Sequence, residues 1–338
     1  MNTTVRHTTY PSVALAAALL FGLSACGSDD TDPAGSPDTA ASSDGVTITH
    51  QYGETRIDGV PEHPVTIGAS WADALVKLDI PITGEFVAQS ASTAGDRYAW
   101  TPAHDSKVST YQTGSLPEVE EVAALHPDVI LVGALSDEKV YEQYSDIAPV
   151  IPVMAPGVTL DNWRDVTTTA GKIFDKEDAA KDAVADVENL LAETKDKHPA
   201  VQGKTFAYGQ LTPIQEFGVV TDPASPAARI LSDVGLTLSP ALSELAGQGD
   251  KGGSRQVISA ERVDLLDADV LVFWPIAGGE DAFSKIAGWK ELRAVRSGAT
   301  THLDNSSAPA FVTPTIYSMP WAVQKLTPAL DALEETQQ

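Results

Sequence analysis

The chain has 338 residues, 43% of them hydrophobic, which favours two domains or two lobes over a single core. Its 22 Lys and Arg stand against 47 Asp and Glu, a net charge of −25. That balance excludes nucleic acid as a partner, since little is available to neutralise phosphates, and leaves an acidic, well-solvated surface.

In chain order, Arg6 and His7 precede an apolar run from Val13 to Ala25 that ends in small residues. The run is too short to span a bilayer and has the build of a secretory signal. The chain's one cysteine, Cys26, excludes an internal disulfide and closes the phrase "LSAC". This phrase resembles the lipobox of bacterial lipoproteins. The resemblance implies that Cys26 is lipidated, becomes the first mature residue and anchors the protein on the extracytoplasmic face of the cell membrane. Residues 1–25 are then the signal. Residues 26–45, rich in Gly, Ser, Asp, Pro and Thr, form a disordered tether.

A first α/β lobe is expected over 46–157. "VTITHQYGETRI" predicts a hairpin turning at Tyr52-Gly53-Glu54, and "VTIGA" a buried strand. "SWADALVKLDI" predicts a helix capped by Ser70, and "PITGEFVA" the next strand. Gln89 to Ser115 reads as a long irregular loop, of the kind that is usually functional. "LPEVEEVAAL" predicts a short helix and "HPDVILVG" a fully apolar, buried parallel strand. "SDEKVYEQYSDI" predicts a helix capped by Ser136, and "APVIPVM" a last strand.

Residues 158–175, with "TLDNWRDVTTTAGKIF", predict a helix joining this lobe to a second one over 176–338. There "KEDAAKDAVADVENLLAETKDKH" predicts a long helix, and "TFAYGQ", "EFGVV", "DVLVFWP" and "ATTHLD" predict strands. "SPAARILSDVG", "SAERVDLL", "GWKELRAV" and "MPWAVQKLTPALDALEE" predict helices. "EEVAALHPDVILV" from Glu120 recurs as "ERVDLLDADVLVF" from Glu261, aligning Glu with Glu, Val122 with Val263, Leu125 with Leu266 and Asp128 with Asp269. A helix feeding a central strand is thus written once per lobe, and the cleft between lobes is where a ligand is expected.

The sequence shows no G-x-S-x-G, H-E-x-x-H, Walker or Rossmann motif, and no two histidines fall at helical spacing. No catalytic residue, cofactor or metal site is expected, and the protein is read as a binder rather than an enzyme.

The phrases "GVPEHPVTIGASWADALVKLDIPITGE", "GSLPEVEEVAALHPDVILVG", "LDNWRDVTTTAGKIFDKEDAA", "ISAERVDLLDADVLVFW" and "GWKELRAVRSGATTHLD" carry a family resemblance. The chain resembles the substrate-binding lipoproteins of ABC importers, within the class that carries ferric siderophores, haem and cobalamin. The resemblance implies two α/β lobes joined by a single long bridging helix, and a ligand cleft between them. It implies capture of an iron(III)-siderophore complex by a monomer for delivery to a permease dimer. It also implies that Glu120 and Glu261 dock on permease arginines, beside the plainer role of acids at helix N-termini.

A siderophore site asks for Arg and aromatic rings. Arg97, Tyr98 and Trp100 in the long loop answer that, with Trp71, Arg229, Trp274, Phe311 and Tyr317. Core packing is the plain alternative for Trp71, Trp274 and Phe311. The last loop, "SSAPAFVTPTIY", holds no basic residue, which favours a hydroxamate or mixed-ligand siderophore over a strongly anionic one. Haem, with Tyr98, Tyr111 or Tyr317 as axial ligand, and cobalamin are alternatives. A zinc or manganese importer component is another, though only His104 and His302 lie in candidate cleft loops.

Overall fold

A computed structural model describes residues 45–89, 97–112, 114–135, 137–246 and 255–336. Cys26, its flanking signal and tether, and Ser136 lie outside these. A hairpin opens the fold: β1 (Val46–His50) pairs antiparallel with β2 (Gly53–Ile57). β3 (Pro64–Ile67) leads into α1 (Ala69–Lys77) through Gly68. Gly68 has φ 93°, a left-handed value that favours glycine, and it rather than Ser70 is the N-cap. Ser70 is buried inside the first turn.

β4 (Gly84–Gln89) and β5 (Lys107–Gln112) follow, then α2 (Val119–Ala123), β6 (Val129–Val132), α3 (Glu138–Ser145) and β7 (Val150–Ile151). The strands form a parallel sheet in the order β5-β4-β3-β6-β7. β5 lies inside the stretch that reads as loop. It is an edge strand paired to β4 alone, and its polar KVSTYQ lacks the apolar run of a central strand. The side chain of Asp137 caps α3, accepting from Lys139 N and Val140 N.

α4 (Trp163–Ile173) and α5 (Glu177–Lys197) come next. The helix expected over 158–175 is thus shorter, and a 21-residue helix follows it. The break between them is local. Asp175 has φ 52°, and Lys176 N donates back to Gly171 O at 2.7 Å. Gly171 is required there, because a Cβ would come 2.6 Å from the Cβ of Ala180. Ala180 belongs to the first lobe's core, with Trp71, Leu75 and Ala170, whereas Ala183, Val187 and Leu191 belong to the second's. α5 therefore runs from one core into the other.

The second lobe holds β8 (Thr205–Leu211), β9 (Glu216–Val220), α6 (Pro226–Asp233), β10 (Thr237–Leu238), α7 (Pro240–Ser243) and β11 (Arg255–Ser259). After a 3-10 segment over Ala260–Leu266 come β12 (Val270–Pro275), α8 (Arg293–Ser297), β13 (Thr300–His302), α9 (Pro309–Val312) and α10 (Ser318–Glu335). Its sheet runs β11-β9-β8-β12-β13, with β10 beside β8. "SAERVDLL" is 3-10 rather than α, kinked at Arg262, and "GWKELRAV" divides into a 3-10 turn over Trp289–Glu291 and α8.

The repeat has a structural reason. Asp128, before β6, accepts from Glu62 N and His63 N at the start of β3. Asp269, before β12, accepts from Thr205 N and Thr205 Oγ1 at the start of β8. In each lobe the same aspartate ties the entry of one parallel strand to that of its neighbour.

Candidate functional site

The first sheet reverses its strand order between β3 and β6, and parallel sheets place ligands at the carboxyl ends of strands beside such a switch. A cavity of about 600 Å³ opens there. Ile67, Gly68 and Ser70 line it from β3 and α1, Ala88 from β4, Tyr111 from β5, and Gly133 and Ala134 from beyond β6. Tyr98 and Thr313 close it. A second cavity of about 560 Å³ lies on the other lobe's side, lined by Arg164, Asp222, Ser225, Arg229, Asp233, Arg255, Pro314 and Met319. Thr159 and Leu160 line both, so the two form one cleft parted by the crossover segment.

Charge divides unevenly along this cleft. Arg164 bonds Glu188 at 2.8 Å and approaches Asp233 at 3.5 Å. Asp161 is taken by the backbone N–H groups of Met154 and Ala155, and Asp222 by Ala224 N. Arg229 and Arg255 form no ion pair among the described residues, and Arg255 lies over the Trp274 ring at 5.7 Å. The first cavity holds hydroxyls instead. Burial pushes the Tyr111 phenol up to about 12, with the Tyr98 phenol adding to it.

Few of the residues singled out in the sequence face the cleft. Tyr98 and Arg229 line it. Trp71 and Phe311 are 0% exposed and belong to the cores, so neither offers a contact surface. Trp274 is buried between Tyr208 and the Arg255 guanidinium. Arg97 is held elsewhere: its Nε donates to Glu85 Oε2 at 3.1 Å and its second amino nitrogen to Ser106 Oγ at 2.6 Å. His104 Nε2 and Ser106 Oγ meet the same Glu85 oxygen, each at 2.9 Å. Trp100 stacks on Tyr98 at 4.6 Å and packs beside Trp321 at 5.4 Å, inside the second lobe's core. Tyr317 is half-buried with Lys77 over its ring at 5.8 Å. Glu120 and Glu261 are exposed at the starts of their helical segments, with no ion pair among the described residues. Among those residues no group of three or more His, Cys, Asp or Glu is placed to hold a metal ion.

Beside the cleft, Asp73 of α1 is buried, accepting from Thr101 Oγ1 at 2.7 Å and from Thr315 Oγ1. Burial raises its carboxyl from 3.8 to about 6, against the lowering effect of the two hydroxyls. A raised carboxyl contributes stability that is complete below 3.8 and is lost as pH rises through about 6. The unfolding midpoint of Asp73→Asn should therefore gain on that of wild type between pH 4 and pH 7, as calorimetry would read. A pH-independent difference would show that Asp73 titrates normally.

The described residues thus form two α/β lobes with a cleft between them. The chain belongs to the periplasmic binding protein family, whose model matches residues 65–306. It is 27% identical over 277 residues to the putative ABC transporter substrate-binding lipoprotein YhfQ of Bacillus subtilis, covering 77% of this chain and 81% of that one. It is 26% identical to the Fe(3+)-citrate-binding protein YfmC of the same organism, over 79% of this chain and 80% of that one. In fold it resembles Streptococcus pneumoniae PiaA in complex with ferrichrome, at TM-score 0.68 and 22% identity, over 85% of this chain and 99% of that one. A periplasmic solute binding protein of Mycobacterium smegmatis matches at TM-score 0.70 and 22% identity, over 86% and 99%.

Proposed function

We propose that this protein is the extracytoplasmic receptor of an ABC importer. It captures an anionic ferric chelate of the siderophore or citrate kind and passes it to a permease dimer. The observation that carries this is the pair Arg229 and Arg255. In a chain with 47 acidic residues against 22 basic ones, two arginines outside any ion pair among the described residues line one wall of the cleft, Arg229 with the field of Asp233 beside it. A guanidinium is suited to carboxylate and other planar anions. The names of the curated relatives, one a Fe(3+)-citrate binder and another a petrobactin binder, point to the same cargo. The second lobe thus supplies basic residues from α6 and β11, although its last loop has none, and this moves the preference from a hydroxamate to an anionic chelate. Haem, with Tyr98, Tyr111 or Tyr317 as axial ligand, is the alternative reading.

In this proposal the protein binds and releases without chemistry, needs no cofactor and works as a monomer. Its lobes comprise 46–157 and 176–338. Titration with ferric citrate, ferrichrome, haem and cobalamin, followed by tryptophan fluorescence, tests it. Saturable quenching by the negatively charged ferric complex is expected, with Trp274 beneath Arg255 as reporter. Binding of haem or cobalamin alone would overturn the assignment.

Lipid anchoring through Cys26 belongs to the same proposal. Cys26→Ser should release the protein into the medium or leave its signal uncleaved. Membrane retention equal to wild type would count against the anchor.

A further inference from the structure

We infer that Asp73 is a positioning residue that sets how the two lobes meet, through the buried hydrogen bond it accepts from Thr315. Asp73 belongs to α1 of the first lobe; Thr315 belongs to the second lobe's segment between α9 and α10, and both are buried. Thr315 is itself built into the start of α10. Its N–H donates to Ser318 Oγ at 2.8 Å, and its Oγ1 accepts from Ser318 N at 3.0 Å. The carboxylate is therefore joined to the entry of an 18-residue helix rather than to a free side chain.

Two further contacts cross the same seam. Lys77, one turn along α1 from Asp73, lies over the Tyr317 ring. Trp100 reaches from the first lobe into the second lobe's core beside Trp321 of α10. The segment carrying Trp100 is fixed at its base, because Arg97, His104 and Ser106 all bond the buried Glu85 of β4. The other Asp73 oxygen takes Thr101 of that segment. One carboxylate thus joins the strap, α1 and α10.

The seam adjoins the cleft. Thr313 lines one cavity, Pro314 and Met319 the other; the first two directly precede Thr315 and Met319 lies one helical turn after it. Lobe separation at Asp73 then fixes the width of the cleft, a role that rests on the cleft being the ligand site. A hydrogen bond to a buried charge shifts such an equilibrium about tenfold or more.

The test uses the whole protein, free of ligand, so that it stands whatever cargo the cleft takes. Small-angle scattering of Thr315→Val and Asp73→Asn should show a larger radius of gyration than wild type. Thr315→Ser, which keeps the hydroxyl, should restore it. Thr101→Val removes a donor to the same carboxylate without touching α10. It should lower the melting temperature yet leave the radius unchanged. Should Thr315→Val fail to fold, the near-isosteric Asp73→Asn carries the measurement. Wild-type curves for Asp73→Asn, or equal expansion in Thr101→Val, would overturn the inference.

Discussion

Arg229→Ala combined with Arg255→Ala is expected to remove high-affinity binding of an anionic ferric chelate. A charge-assisted hydrogen bond contributes about 1.5–3 kcal/mol, so each arginine accounts for roughly a 10- to 150-fold change in dissociation constant. Partial enclosure strengthens the effect relative to a surface ion pair, because solvent screens less inside a cleft. The wild-type affinity should also fall with added salt, and that dependence should flatten in the double variant. Arg97→Ala supplies the contrast. Its guanidinium is bound to Glu85, so its loss should leave affinity near wild type and lower the melting temperature by leaving that buried carboxylate to His104 and Ser106 alone. Isothermal titration and thermal unfolding on the same variants separate the cases. Wild-type affinity in the double variant would sink the anionic assignment.

Glu120→Ala combined with Glu261→Ala should abolish uptake while binding in solution stays intact. The two glutamates hold equivalent positions in the repeat, one per lobe, on the exposed first turns of Val119–Ala123 and Ala260–Leu266. Charges at a docking rim chiefly govern association with a partner, and neither residue lines either cavity. Cells carrying the double variant should accumulate little radiolabelled iron, although the purified variant titrates as wild type does. Normal transport would show that these acids serve only their helix N-termini.

Much of the fold was legible because burial leaves a pattern. "DVILV" and "DVLVFWP" read as central parallel strands since both faces of such a strand are covered. The repeated aspartates marked the matching places in the two sheets. β5 was hidden, because an edge strand with polar side chains looks like loop, and Gln89 to Ser115 read as loop in consequence. The site was less legible for a related reason. A tryptophan near a strand end serves core and cleft equally well in sequence, and only packing shows Trp71 to be core. Arg97 stood out beside Tyr98 and Trp100, yet the acid that holds it, Glu85, sits on β4 and is 12 residues away. Arg255 went unnoticed. The available signal was its scarcity: an arginine opening a strand in so acidic a chain calls for an anion to meet it.

The seat of Trp100 bears on how the molecule folds. A residue from the first third of the chain completes a core that α10, the final helix, must also enter. Neither half can reach full packing alone, so heating should melt both in one cooperative transition rather than two. Chain order gives that dependence a direction in time. A polypeptide emerging from its N-terminus keeps Trp100 unsatisfied until Trp321 arrives, and contacts so distant in sequence form late because their loop is costly to close. The second lobe's core therefore closes only once its last helix has been made.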